Sequence, residues 1–113
     1  MSEFVEGFGA LAELGPAVGV FLQITDAPVE ESFLQSSLKH AVDVSFNMVD
    51  IDSDTSTSDT CVLMANGLAG EVDEGRFREA LRTGCIRLTE MLARDGEGAT
   101  KLLRATVEGA ADR

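Results

Sequence analysis

The sequence is short of aromatic residues and of positive charge, and each shortage argues against a class of protein. It contains six Phe but no Trp or Tyr, so its core has to consist mainly of Leu, Val, Ile, Ala and Met. Nine Lys and Arg stand against 20 Asp and Glu, which gives a net charge of −11. Such a surface repels phosphate backbones and anionic lipids. We therefore expect neither nucleic acid nor a membrane as a partner.

Cysteine and long apolar runs are scarce as well. Cys61 and Cys85 are too few and too far apart for a disulfide framework or a metal knuckle, so we expect two free thiols in a reducing compartment. No apolar run approaches the ~18 residues of a membrane helix. The first residues, MSEFVE, are acidic where a signal peptide is positive. These features predict a cytoplasmic protein, and no pattern calls for a cofactor or a metal.

What remains is the composition of one small globular domain. Apolar residues make up 44% of the 113 residues, and the chain has only two Pro, which excludes a disordered chain. Gly7, Gly9 and the pair Gly15-Pro16 predict an irregular lead-in over residues 1–16. We expect a single domain over residues 17–110.

The hydrophobic pattern predicts two amphipathic helices and four strands in the order β-α-β-β-α-β. The first helix is expected to follow Asp26 as its cap and to end near Phe46. The second is expected to start near Asp73, with an apolar stripe at the 3.6-residue period. That stripe consists of Phe77, Leu81, Cys85, Leu88 and Leu92. The strands are predicted at residues 17–25, 48–51, 60–65 and 103–107. This order favours an α/β (α+β) two-layer domain, with both helices on one face of a mixed or antiparallel sheet.

Several apparent motifs fail when the spacing that their chemistry needs is checked. An Asp-rich run that begins at Asp50 imitates a calcium loop, but Thr55 and Cys61 occupy the places of the required Gly and Glu. The run predicts a polar turn instead. Residues 96–101, GEGATK, lack the spacing of a phosphate loop. His40 is the only histidine and has no catalytic partner pattern, so we expect an ordinary exposed side chain.

Two longer stretches carry a specific resemblance. Residues 45–67 read SFNMVDIDSDTSTSDTCVLMANG, and residues 95–101 read DGEGATK. Both are similar to segments of the ornithine acetyltransferases (glutamate N-acetyltransferases), separated there also by one amphipathic helix. Thr25-Asp26-Ala27 matches the end of the family's T-T-D-A. The resemblance covers roughly residues 17–110 and indicates part of the family's C-terminal subunit.

The resemblance implies a substrate and two residues that contact it. Members of the family move an acetyl group from N-acetylornithine to glutamate through an N-terminal Thr released by self-cleavage. Glu97 falls on the family's Glu that binds the amine end of ornithine, and Thr25 falls beside the same pocket. A carboxylate between two glycines suits an amine, because charge-assisted hydrogen bonds are strong and glycine allows close approach. The expected partner is an ornithine-like or N-acetylornithine-like small molecule.

The position of the nucleophile departs from the family pattern. Counting back from Asp26 places Val18 there, and counting forward from residues 6–9 places Ala17 there. Neither side chain has a hydroxyl, so neither can hold an acyl group. Glu6 replaces the family's active-site Lys, and the N-terminal subunit with its oxyanion hole has no counterpart. We therefore predict no catalytic residue in this chain.

Three hypotheses follow for its function. The one we favour is a truncated, non-catalytic relative that acts as a binding or oligomerisation module, as a homo-oligomer or with a complementing acetyltransferase subunit. The alternative is one fragment of an active glutamate N-acetyltransferase that needs a complementing chain. The third is a new activity that uses Ser2, exposed by loss of the initiator Met, or the Asp-rich turn.

Overall fold

The computed structural model of this protein describes residues 11–17, 20–50, 59–96 and 98–111, with side chains from residue 23 onward. Three strands, two α-helices and one short 3-10 helix lie in these ranges. In chain order they are β1 (Leu11–Ala17), β2 (Val20–Thr25), α1 (Glu31–Asp43), the 3-10 helix (Phe46–Met48), β3 (Thr60–Ala65) and α2 (Glu74–Arg94). The predicted α/β class is confirmed.

The sheet has the order β1-β2-β3. β1 runs antiparallel to β2, with Leu11 opposite Thr25. β2 runs parallel to β3, with Val20 opposite Thr60 and Thr25 opposite Ala65. A parallel pair requires a long crossover, and α1 lies in the segment that connects β2 to β3. As a consequence, the carboxyl ends of β2 and β3 lie side by side.

β1 occupies residues where the sequence predicts an irregular lead-in. Gly15 and Pro16 are the breakers behind that prediction, and both lie inside the strand. β1 is an edge of the described sheet, and its register with β2 shifts between Leu14 and Ala17. Edge strands and register irregularities are the places where a sheet tolerates proline, because the missing N–H costs no ladder bond there. Among the described residues the order of strands and α-helices is therefore β-β-α-β-α instead of β-α-β-β-α-β.

Two of the predicted strands are absent from the described residues. The prediction at residues 48–51 is wrong at its start, because Met48 and Val49 donate local bonds to the carbonyls of Ser45 (2.8 Å) and Phe46 (3.3 Å). Ile51 lies outside the described residues. The prediction at residues 103–107 is wrong, since residues 98–111 contain neither helix nor strand. An alternating apolar pattern forms a strand only where a neighbour supplies hydrogen bonds, and no described strand does so.

The two helices differ in how well their starts are predicted. α2 begins where expected, because the Asp73 carboxylate accepts a hydrogen bond from the Arg76 N–H at 2.7 Å. α1 begins at Glu31, five residues after Asp26, and its N-cap Glu30 makes no side-chain cap bond. Asp26 therefore does not cap α1. Its backbone carbonyl instead accepts the Ala69 N–H at 2.8 Å, and this bond joins Asp26 to the loop after β3.

The core consists of side chains from α1, α2, β3 and the loop after β2. Its buried apolar residues are Ala27, Ala41, Leu63, Phe77, Leu81 and Cys85. Leu88 is buried too, which confirms the predicted stripe except at half-buried Leu92. Within the described ranges, no helix combines the length and apolar character needed to cross a bilayer.

The two faces of the sheet have different surroundings. Gln23, Thr25 and Leu63 are buried on one face, and the Gln23 amide donates to the Cys85 Sγ of α2 at 3.0 Å. The opposite face is apolar and exposed. It carries Ile24, Val62 and Met64.

Candidate functional site

The candidate site lies at the carboxyl ends of β2 and β3. The Asn66 N–H donates to the Thr25 carbonyl at 3.1 Å, and the Ala69 N–H donates to the Asp26 carbonyl at 2.8 Å. These two bonds join the loop after β2 to the loop after β3. In α/β proteins ligands bind outside the carboxyl ends of parallel strands, because the loops there diverge from a rigid sheet.

Thr25, predicted as a substrate contact, ends β2 and is almost fully buried, with 2% of its surface exposed. Its Oγ1 accepts a hydrogen bond from the Ala27 N–H at 3.2 Å. This bond turns the chain out of the strand, in the manner common for Thr and Ser side chains in turns. The hydroxyl therefore has a structural role here, and its predicted contact with substrate stays a prediction.

Asp26 is a site residue that the sequence prediction treats only as a helix cap. Its Oδ1 atom is buried and has no hydrogen-bond partner among the described residues. A buried carboxylate oxygen without a donor is costly, so the position favours a ligand or another group that brings an N–H. The signal for it was present in the sequence, because the Thr25-Asp26-Ala27 triplet is part of the family resemblance.

The Asn66-Gly67 pair forms the turn that its sequence predicts. Gly67 has φ 72°, a conformation that side chains disfavour. The Asn66 Oδ1 accepts the Leu68 N–H at 3.0 Å, which closes a local side-chain turn. A Cβ at Gly67 would lie 3.9 Å from the Pro28 Cα, so the loops after β2 and β3 pack closely. Leu68, which is 83% exposed, forms an apolar rim beside them.

Glu97, the other predicted substrate contact, lies outside the described residues. Of its neighbours, Gly98 has φ 74°, and the Gly96 carbonyl accepts the Ala99 N–H at 2.8 Å. A glycine is thus required at position 98 by the backbone conformation itself. Whether Glu97 and Thr25 meet in one pocket stays a prediction.

The remaining candidates from the sequence make no chemical site in the described residues. His40 is exposed on α1, as predicted. Neither Cys61 nor Cys85 forms a disulfide bond; Cys85 is buried, and partial burial raises the pKa of the Cys61 thiol above its ordinary value. No group of three or more His, Cys, Asp or Glu within the described ranges could hold a metal ion. Ser2, Glu6, Val18 and residues 51–58 of the Asp-rich run lie outside those ranges.

Comparison with known proteins gives one consistent result. A model of the ArgJ family matches residues 16–113. Glutamate N-acetyltransferase Oat2 of Streptomyces clavuligerus is 52% identical over 88 residues, which are 78% of this chain and 22% of that protein. The mitochondrial arginine biosynthesis bifunctional protein ArgJ of Podospora anserina is 53% identical over 90 residues, 74% of this chain and 19% of that protein. This chain thus spans about a fifth of the length of these curated relatives.

A solved structure agrees with the sequence comparisons. The crystal structure of the arginine biosynthesis bifunctional protein ArgJ from Bacillus halodurans matches with a TM-score of 0.66 at 38% identity. The match covers 71% of this chain and 41% of that one. The matched part of this chain therefore shares the fold of part of that protein.

Proposed function

Since the chain belongs to the ArgJ family, as its SFN…ANG and DGEGATK segments predict, we propose that it is a non-catalytic relative of glutamate N-acetyltransferase that retains recognition of an ornithine-like amine. Its close match to arginine biosynthesis proteins supports this choice of substrate class. The observation that carries the proposal is the buried Oδ1 of Asp26, which has no hydrogen-bond partner among the described residues and lies at the joined ends of β2 and β3.

In this proposal, the carboxylates of Asp26 and Glu97 bind the amine. Asp26 offers an oxygen that no described donor satisfies, and Glu97 is the family's amine-binding Glu by sequence. An ammonium group supplies three N–H donors and gains charge-assisted hydrogen bonds from such oxygens. Thr25 supports the site by fixing the turn that carries Asp26, and its hydroxyl proton remains able to donate to an oxygen of the ligand.

The absence of catalysis rests on the side chains at the nucleophile position. Both alignments place a residue without a hydroxyl there, Ala17 or Val18. Covalent transfer needs a nucleophile that holds the acetyl group between donor and acceptor. We therefore propose that the chain binds substrate but does not carry the acetyl group, and that it does so in the cytoplasm.

We further propose a two-layer domain, with α1 and α2 on one face of the sheet and an open face that serves association. The Gln23–Cys85 bond and the buried Leu63 support helices on the first face. The exposed Ile24, Val62 and Met64 support association through the second, since apolar surface gains free energy when it is covered. The partner is a second copy or a complementing acetyltransferase subunit.

The alternative, a fragment of an active enzyme, is favoured by the 52% identity to Oat2 along the matched segment. At this identity, just over half of the side chains in the matched segment are the same in both proteins. Under this alternative another chain supplies the nucleophile, and this chain supplies only half of the pocket.

Two measurements test the absence of catalysis: intact mass after incubation with N-acetylornithine alone, and an assay for acetylglutamate after incubation with N-acetylornithine and glutamate. We expect no acetyl adduct and no product. A covalent acetyl adduct on the chain would contradict the proposal. Acetylglutamate could instead form only after addition of a second chain that carries the nucleophile and is inactive alone. That result would replace the proposal with the alternative.

A further inference from the structure

Arg78 of α2 makes an unusual set of contacts with α1. Its Nε donates to the Ser37 Oγ at 3.1 Å, and its Nη2 donates to the Ser36 Oγ at 3.1 Å. The guanidinium carbon lies 4.5 Å from the centre of the Phe33 ring, which holds it by a cation–π contact. The planar side chain is therefore held in one orientation although it is exposed.

The residues of α1 that contact Arg78 are themselves held by further contacts. Phe33 packs against Phe77 with their ring centres 6.0 Å apart, and Phe77 is in the core at 3% exposure. Ser37 is buried, and its hydroxyl donates to the Phe33 carbonyl at 2.6 Å. Ser36 donates to the same carbonyl at 3.0 Å. Both hydroxyl protons are used within α1, so their oxygens are left to accept from Arg78.

The guanidinium keeps most of its donors free of the described residues. A guanidinium has five N–H groups, and the two serines receive only two of them. Nε and Nη2 share one edge of the plane, so the end edge formed by Nη1 and Nη2 keeps two parallel N–H groups that bond to no described residue. That edge has the geometry that binds a carboxylate or phosphate with two bonds.

No described carboxylate neutralises Arg78. The acidic neighbour Glu79 pairs with Arg82 at 3.2 Å, and on α1 Asp43 pairs with Lys39 at 2.6 Å. Two hydroxyls orient Arg78 and no described carboxylate pairs with it, whereas Arg82 and Arg104 pair with Glu79 and Glu90. A long-range negative field weakens anion binding in general, so capture of an anion here depends on this specific geometry.

We propose that Arg78, held by Ser36, Ser37 and Phe33, anchors a binding site for an oxyanion, the carboxylate or phosphate group of a small molecule. The site lies at the contact of α1 with α2 and does not involve Asp26, Glu97 or the amine of the proposed substrate. It therefore stands or falls independently of the proposed function.

Titration of the full chain with sodium acetate and with sodium phosphate, at ionic strength matched by sodium chloride, tests this site. The readout is the Nε–Hε signal of Arg78 in a nitrogen-15 NMR spectrum. We expect a saturable shift with acetate, phosphate or both and none with chloride, because a single chloride ion does not offer two acceptor atoms to the two parallel N–H groups. The anion with the lower Kd identifies the carboxylate or phosphate class.

Three variants separate the site from general charge effects. Arg78→Lys keeps the charge but loses the two parallel N–H groups. We expect its Kd to rise about tenfold, as measured from the amide signals of residues 36 and 37. Ser36→Ala keeps Arg78 but loosens its orientation, and its Kd is expected to rise less. Arg94→Lys, at the exposed end of α2, is the matched control and should leave the Kd unchanged.

The site is refuted by an Arg78 signal that does not saturate, by an equal response to chloride, or by an equal loss of affinity in Arg94→Lys. If Arg78→Lys fails to fold, Ser36→Ala decides the matter. An unchanged Kd in folded Ser36→Ala would then overturn the proposed orientation by the serine.

Discussion

At the scale of single residues, similar side chains have different roles that depend on what the backbone nearby offers. Asp73 and Glu30 both precede a helix, yet only Asp73 accepts a cap bond. The Asp73 cap was predictable, because an Asp directly before an amphipathic run is a strong local signal. The role of Asp26 was not, since its backbone carbonyl bonds to Ala69 across the sheet, a contact that local sequence does not contain.

Replacing the cap of α2 is expected to destabilise the domain. Asp73→Ala removes the acceptor for the Arg76 N–H and should lower the free energy of unfolding by about 1 kcal/mol. Urea unfolding followed by circular dichroism measures it. Glu30→Ala is the matched control, since Glu30 makes no cap bond, and should change stability by much less. Equal losses in the two variants would show that the bond contributes nothing.

The pKa of Cys61 predicts a dependence of stability on pH. Burial raises the pKa of this thiol, so the folded chain keeps its proton at a pH where the unfolded chain has already lost it. Unfolding then releases a proton, and stability must fall as pH rises through the window that begins at the ordinary thiol pKa. Urea unfolding of the native chain and of Cys61→Ser, from neutral pH to about pH 10, measures this. The variant should lose less stability; identical pH curves would contradict the assignment.

At the scale of elements, periodicity predicted the helices better than the short strands. α2 has 21 residues with an apolar stripe and a cap, and these signals are local. The alternation at residues 103–107 was equally visible, but a strand depends on a neighbour that the sequence pattern does not identify. β1 was missed for the opposite reason, since Gly15 and Pro16 weaken a strand that pairing with β2 nevertheless supports.

The stripe of α2 should dominate the stability of the domain. Leu81 is 1% exposed and belongs to the core cluster, so Leu81→Ala should lower the free energy of unfolding by about 2–5 kcal/mol. Met91 lies on the same helix but is 44% exposed, and Met91→Ala should cost less than about 1 kcal/mol. Chemical unfolding of both variants gives the comparison. A similar loss in both would mean that α2 buries a different face.

The segment after α2 should tolerate a polar substitution. Val107 is 81% exposed in a stretch without regular structure. Val107→Ser is therefore expected to change the free energy of unfolding by less than about 0.5 kcal/mol. Thermal unfolding checks this. A loss of several kcal/mol in the free energy of unfolding would instead support the strand that the alternating pattern predicts.

At the scale of the whole molecule, the α/β class and the family were readable from sequence, but the site was readable only in part. The long motifs identified the family because such runs do not arise from composition. Thr25 ends β2 and Asp26 follows it, yet the burial of the Thr25 hydroxyl and the Asp26 Oδ1, which has no partner among the described residues, emerge only when two loops meet. One face of the sheet is buried and the opposite face is exposed, and this difference likewise arises only in the assembled fold.

Retained recognition of an amine substrate is the central claim, and an amide-shift titration of the chain with N-acetylornithine, ornithine and glutamate tests it most directly. We expect saturable shifts with the two ornithine compounds at residues 25–27 and 95–101, lost in Glu97→Ala and kept in the control Glu108→Ala. Asp26→Asn should weaken binding as well, since it removes the carboxylate charge. A folded chain without shifts at millimolar ornithine or N-acetylornithine would contradict the account and leave a domain that serves association alone.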